Sequence, residues 1–192
     1  MRVTSGRLRG RLLAAPADLA VRPTSDKLRQ AMFNILEHKE LILGFGLEHA
    51  RVIDLFAGTG ALAIEALSRG ARTALLIDNN ATSRALIRRN VEALGLTGIT
   101  KIWRRDATKL GAMGPGEAFD LAFLDPPYRK ELIVPALVAL RDGDWLKSGA
   151  VVVTETSADE DIAPPDGFTL CDERLYGNTR VMFLARASRG NN

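Results

Sequence analysis

Arg51-Val-Ile-Asp-Leu-Phe-Ala-Gly-Thr-Gly-Ala-Leu-Ala-Ile-Glu-Ala-Leu-Ser-Arg-Gly-Ala71 is the stretch around which the chain is organised. Val52 to Phe56 is a short apolar run of the kind that forms a buried strand, interrupted only by Asp54. Ala57-Gly58-Thr59-Gly60 then turns the chain. Leu62, Ile64, Ala66 and Leu67 recur at helical spacing as far as Gly70, a residue suited to a left-handed C-cap. A strand, a glycine turn and a helix open a nucleotide-binding βαβ unit, in which glycines let a ligand approach the backbone. This stretch therefore builds a cofactor site.

Downstream, strands and helices alternate. Thr73 to Asp78 reads as a strand, Asn80 to about Leu94 as a helix stopped by Gly95, and Thr100 to Arg104 as a strand. After a glycine-rich loop, Gly111 to Gly116, come a strand from Phe119 to Leu124 and a helix from Glu131 to Leu140 that Pro135 caps or kinks. Ala150 to Glu155 is a fifth strand. Phe168 to Leu175 and Arg180 to Ala185 flank Tyr176-Gly-Asn-Thr179, a hairpin signal. The pattern predicts an α/β fold with a doubly wound, mostly parallel seven-stranded sheet ending in an antiparallel hairpin. Ahead of it, Leu28, Met32, Ile35 and Leu36 predict an amphipathic helix entered through Arg22-Pro-Thr-Ser-Asp26. Residues 1–13, with Gly6 and Gly10, read as a short basic hairpin or arm.

Composition excludes several classes. A 46% apolar fraction in 192 residues fits one globular domain with a real core. No apolar run approaches ~20 residues, and the first residues lack a signal-peptide pattern, so the reading is a cytoplasmic protein without a membrane span. The single cysteine, Cys171, permits no internal disulfide or cysteine zinc cluster, and His38 and His49 form no metal set with nearby acids. Net charge is +3, but residues 1–30 set seven basic residues against two acids, which leaves the remainder at −2. A basic segment on a nearly neutral body points to a polyanionic partner. Arg7, Arg9, Arg11 and Arg22 are the candidate contacts.

Four acids fall in or at the ends of strands: Asp54, Asp78, Asp106 and Asp125. In an open α/β sheet, ligands sit outside those ends. Asp78 follows Gly60 by 18 residues, where a carboxylate can take both hydroxyls of a ribose. Asp106 is placed for an adenine amino group, and Asp54 for a ligand ammonium, directly or through water. Asp125-Pro126-Pro127-Tyr128 is the most specific feature. Two prolines fix rigid carbonyls beside an acid and an aromatic ring, a slot for a planar group bearing an NH₂.

Asp54-Leu-Phe-Ala-Gly58-Thr-Gly60 resembles motif I of the S-adenosylmethionine-dependent methyltransferases, and Asp125-Pro-Pro-Tyr128 is similar to the motif of those that methylate exocyclic amines. The wider pattern resembles the RsmD family, which methylates the N2 amine of a guanine in 16S ribosomal RNA. It takes in Arg7-Leu-Arg-Gly10, Arg22-Pro-Thr-Ser-Asp26, Phe33-Asn34 and Tyr176-Gly-Asn-Thr179. The resemblance implies a Rossmann-like methyltransferase domain over 22–187, a basic arm over 1–21 and a polar tail over 188–192. It implies S-adenosyl-L-methionine as cofactor, with Gly58 and Gly60 beside its methionine part, Asp54 at its amino group, Asp78 on the ribose and Asp106 at the adenine. Phe56, Ala57, Asn79 and Ala107 would line the same pocket, and Thr24 would close it. Asp125, Pro126, Pro127 and Tyr128 would grip the guanine. The implied partner is ribosomal RNA or the 30S particle, with no metal or membrane, and the protein acting as a monomer.

Other readings stay open. Asp125-Pro-Pro-Tyr128 alone fits a DNA adenine-N6 or cytosine-N4 methyltransferase equally well, and a glutamine-modifying enzyme less well. Gly58-x-Gly60-x-x-Ala63 with Asp78 also fits a nicotinamide oxidoreductase, against which Asp54 and the proline motif argue. A non-catalytic RNA-binding protein is the remaining class. A cysteine-nucleophile route is disfavoured, because Cys171 lies in a predicted strand far in sequence from the motifs.

Overall fold

The computed structural model describes residues 1–15, 25–37 and 45–188. Seven strands form one sheet in the order β3-β2-β1-β4-β5-β7-β6. They are β1 (Arg51–Leu55), β2 (Thr73–Ile77), β3 (Thr100–Trp103), β4 (Phe119–Leu124), β5 (Leu146–Ser157), β6 (Phe168–Tyr176) and β7 (Thr179–Arg186). β1 to β5 pair in parallel, and β7 runs antiparallel between β5 and β6. The expected doubly wound sheet with a terminal hairpin is therefore present. Strand order reverses between β1 and β4, the place where such a sheet opens a crevice.

The helices are α1 (Asp26–Glu37), α2 (Ala61–Ser68), α3 (Ala81–Ala93) and α4 (Ile133–Asp142). Alternation along the strands sends side chains to two separate cores. Val52, Leu121, Phe123, Val151 and Val153 pack with α1, α2 and α3, whereas Ile53, Leu55, Ala122, Leu124 and Val152 pack with α4. Asp54 shares its phase with Val52 and so points to the α2 side.

The helix ends follow local chemistry. Ser25 Oγ accepts the Leu28 amide at the start of α1, and Asn80 Oδ1 accepts the Thr82 and Ser83 amides at the start of α3. Gly70 ends α2 at φ 109° while the Ala71 amide reaches back to the Ala66 carbonyl, a Schellman closure. Pro135 is the third residue of α4, where a backbone N–H has no partner within the helix, so it opens the helix without kinking it.

β5 is longer than the sequence indicates. It starts at Leu146, opposite Phe119, and crosses a bulge that contains Gly149 at φ 76°. Its far end, through Ser157, is carried by pairing with β7. Gly177 alone takes positive φ in the two-residue connection from β6 to β7, as a type II′ turn requires.

The basic arm is a hairpin docked on α2. Arg2 bridges Leu12, the Val3 amide meets the Arg11 carbonyl at 3.0 Å, and Gly6–Leu8 form one 3₁₀ turn. Val3 and Leu13 are buried. A Cβ on Gly6 would lie 2.0 Å from the Ser68 carbonyl oxygen, so only glycine allows the arm this close to the end of α2. Glu65, in the middle of α2, holds the arm down: it accepts the Thr4 amide (2.8 Å), the Thr4 hydroxyl (2.6 Å) and the Ser5 amide (3.0 Å). It also pairs with Arg29 and Arg69. Burial acts to raise its carboxyl, but the Thr4 and Arg69 bonds outweigh that and hold it below its ordinary value.

Candidate active site

Parallel register brings the carboxyl-end regions of five strands to one level: Leu55 pairs with Ile77 and Leu124, Ile77 with Trp103, and Leu124 with Thr154. The residues that leave these ends enclose a cleft of about 590 Å³. Phe56, Gly58, Asp78, Asn79, Ala107, Asp125, Pro126, Pro127 and Tyr128 all line it, joined by Asn80, Ser83, Arg105 and Glu155. Motif I and the proline motif, 67 residues apart from Gly58 to Asp125, thus share one cleft.

The turn after β1 is tight because three of its residues have positive φ: Phe56 (63°), Gly58 (56°) and Gly60 (79°). The two glycines serve different ends. A Cβ on Gly58 would meet only the Phe56 carbonyl, at 3.8 Å, leaving its cleft side open to a ligand. A Cβ on Gly60 would press on Leu76 at 3.0 Å, so that glycine is required by packing under α2 and does not line the cleft. Ala57 is buried behind the loop in the same way, its amide on the Ile77 carbonyl.

Asp54 lies beneath this loop and outside the cleft lining, 1% exposed. Its Oδ2 accepts the Ala63 amide at 3.2 Å, which supplies from the neighbouring strand the cap that Gly60 cannot give α2. Its Oδ1 is buried with no hydrogen-bond partner among the described residues. Burial, aided by the Asp78 charge, pushes this carboxyl up to about 7. A buried acceptor left open under a glycine loop fits a positively charged ligand group, reached directly or through water.

Asp78 ties the two loops together: Oδ2 accepts the Gly58 amide (2.9 Å) and Oδ1 the Asn80 amide (2.8 Å). A carboxylate retains further lone pairs for ribose hydroxyls in this geometry. Asp106 is exposed and closes a turn, its Oδ1 accepting the Thr108 amide and hydroxyl, which hold its carboxyl below its ordinary value. Its neighbour Ala107 forms the cleft wall instead. Thr24 and Arg22 lie outside the described residues.

Tyr128 is fixed at its hydroxyl. The phenol donates to Glu155 Oε1 at 3.0 Å and stands 3.0 Å from Thr179 Oγ1. Burial and the Glu155 charge, only partly offset by Thr179, push the phenol up to about 12. Arg105, anchored on the Leu110 carbonyl and packed over Trp103 and Trp145, adds a cation to the cleft lining. Glu155 and Arg105 were not singled out from sequence. Glu155 stands at the end of the predicted fifth strand with no motif to mark it, whereas Thr179, which meets Tyr128, belongs to Tyr176-Gly-Asn-Thr179.

Arg7, Arg9 and Arg11 are exposed on the arm, and Arg11 reaches the Ala93 carbonyl at the end of α3. Through α3 the arm is also linked to the glycine loop. Asn90 bonds Ala14 in both directions and donates to the Thr59 carbonyl at 2.9 Å. Among the described residues, no group of three or more histidines, cysteines or acids is placed to hold a metal ion, and no helix is long and apolar enough to cross a membrane.

A profile of the family described as Conserved hypothetical protein 95 matches residues 1–185. Ribosomal RNA small subunit methyltransferase D of Escherichia coli (strain K12) is 31% identical over 192 residues, covering 99% of this chain and 92% of that protein. YlbH of Bacillus subtilis (strain 168), a candidate rRNA methyltransferase, is 33% identical over 184 residues, covering 94% of this chain and 96% of that protein. The solved structure of the candidate methyltransferase yhhF from Escherichia coli superposes with a TM-score of 0.83 at 27% identity, over 98% of this chain and 99% of that one.

Proposed function

The chain belongs to the RsmD family of methyltransferases, and on that premise we propose that it transfers a methyl group from S-adenosylmethionine to the exocyclic N2 amine of a guanine in 16S ribosomal RNA. The observation that carries this reading is the junction of two motifs: the glycine loop and Asp125-Pro-Pro-Tyr128 line a single cleft at the point where strand order reverses. The open Oδ1 of Asp54 is the acceptor an amino-acid ammonium requires, so the residues present fit the cofactor. Asp54 would hold its ammonium, Asp78 its ribose, and Phe56 and Ala107 its adenine face. When bound, the cofactor supplies a methyl carbon on a sulfonium.

The chain's own residues act on the amine. Its lone pair is delocalised into the purine ring and attacks poorly. Asp125 and the Pro126 carbonyl accept the amine hydrogens, favour a pyramidal nitrogen and stabilise the positive charge that develops there. Tyr128, fixed by its hydroxyl, presents a ring face on which the base stacks. The remainder of the acceleration is positioning. The base must leave any stack or pair to enter the cleft. Arg7, Arg9 and Arg11 bind phosphate, which positions the RNA without reading its sequence. The proposed setting is the cytoplasm, acting on RNA or on an assembled 30S particle.

The experiment is transfer of labelled methyl from S-adenosylmethionine to hypomethylated 16S RNA, 30S particles and duplex DNA, with Asp125→Ala beside the native protein. Label in RNA or particles, lost in the variant while cofactor binding persists, is the expected result. Label in DNA alone would replace this reading with the DNA amine methyltransferase.

A further inference from the structure

Asp125 is not the only carboxylate at the place where the amine would sit. β4 and β5 pair Leu124 with Thr154, and Asp125 and Glu155 are the residues that directly follow this pair, Asp125 just past the end of β4 and Glu155 still within β5. Phe123 and Val153 both face the α1–α2 core, and the two-residue strand repeat gives Glu155 that same side. Both line the cleft. Glu155 is 5% exposed and oriented at Oε1 by the Tyr128 hydroxyl. Because the phenol proton goes to Glu155, the Thr179 hydroxyl donates to the phenol oxygen and completes the chain.

Glu155 also faces a second cavity. An open hollow of about 820 Å³ is lined by Pro126, Pro127, Tyr128 and Glu155 together with the first turn of α4 and residues 159–163. The same four residues line both spaces. The rim of the hollow carries Asp159, Glu160 and Asp161 together with Arg129, whose guanidinium pairs with Asp159 at 2.7 Å and whose amide donates to Glu160 at 3.1 Å.

We propose that Glu155 is the residue that selects the base: its carboxylate accepts the N1–H of a guanine whose N2 amine lies against Asp125. The inference rests on the guanine-N2 reading above. Among the RNA bases that carry an exocyclic amine, only guanine has a protonated ring nitrogen beside it. In adenine and cytosine the ring nitrogen next to the amine is a lone pair. Two carboxylates side by side match two adjacent donor groups, whereas a lone pair facing a buried carboxylate would be left unpaired and repelled. A site built to hydrogen-bond one substrate group rejects analogues that lack it by large factors. Tyr128 and Thr179 act as positioning residues for this acceptor.

The test compares two RNAs, one with the natural target guanine, as located by methyl labelling, and one with 2-aminopurine there. The analogue keeps the 2-amine but has no N1–H; its missing O6 affects native and variant proteins alike. The native protein should prefer guanine by roughly 100-fold or more in kcat/KM. In Glu155→Gln the guanine rate should fall and the preference collapse to below roughly tenfold, with cofactor affinity and Tm unchanged. Thr179→Val, which loosens the Tyr128–Glu155 pair without altering the carboxylate, should lower the preference in the same direction. A purely structural Glu155 would lower both substrates in parallel and leave the ratio intact, which overturns the proposal. A native ratio near one overturns it as well, whether or not Glu155→Gln folds. A native protein that labels no guanine at all would mean that the guanine-N2 reading itself has failed.

Discussion

Asp54 and Glu65 are two buried carboxylates that serve the same helix, and they differ in one respect. Glu65 meets a donor on every side: Thr4 twice, Ser5, Arg29 and Arg69, and its carboxyl is held below its ordinary value. Asp54 meets one backbone amide, keeps an oxygen without a partner among the described residues, and is pushed up to about 7. A satisfied buried charge is structure: it fastens the basic arm to the body of the protein. An unsatisfied one is costly to the apo fold and has a ready use, because a ligand cation completes it.

Removing the satisfied charge should have the largest effect. Glu65→Ala leaves Arg29, itself fully buried, without its carboxylate on α2 and removes the three bonds that Glu65 accepts from Thr4 and Ser5. The expected loss is about 3–5 kcal/mol in chemical denaturation, with the arm's amides losing protection from hydrogen exchange. If denaturation shifts by less than 1 kcal/mol, the network is ornamental. Asp54→Asn should do the reverse, holding or raising apo stability at pH 8 while weakening S-adenosylmethionine binding about 10- to 100-fold in calorimetry, the worth of one charged hydrogen bond. Unchanged affinity would assign Asp54 to capping α2 and nothing more.

The two residues also carry opposite pH signatures. The Asp54 carboxyl is higher in the folded chain than its ordinary value near 3.8, so its contribution is fully present below about pH 4 and is lost as pH rises through about 7. Glu65 is lowered on folding, so its contribution is present above its ordinary value of 4.5 and is lost as pH falls below it. Denaturation followed from pH 4 to 8 should therefore show a decline that Asp54→Asn flattens and Glu65→Gln leaves in place. The smallest effect should come from the arm's surface: each of Arg7→Ala, Arg9→Ala and Arg11→Ala should reduce the salt dependence of RNA binding by about one ion and leave stability within about 0.5 kcal/mol.

Much of the fold could be read from the chain because its signals are local. The run Val52 to Leu55, the glycines after it and the small-residue helix each announce themselves within a few residues, and Asp125-Pro-Pro-Tyr128 restricts its own backbone. What could not be read is what long-range register supplies. Glu155 becomes a partner of Tyr128 only because β5 lies beside β4, and Thr179 only because β7 folds back on β5. Glu65 reads as a stray acid on an apolar helix until the arm, sixty residues earlier, is laid across it. Asp106 shows the converse limit: its spacing suits an adenine contact, but its neighbours Ala107 and Thr108 place the wall residue and the turn, respectively.

The most direct measurement is the identity of the methylated nucleoside. RNA or 30S particles labelled by the purified protein, digested to nucleosides and resolved by chromatography with mass detection, should yield N2-methylguanosine as the labelled product. Label recovered as N6-methyladenosine or N4-methylcytidine would contradict the account, because it would place a ring lone pair where Glu155 and Asp125 together require a donor.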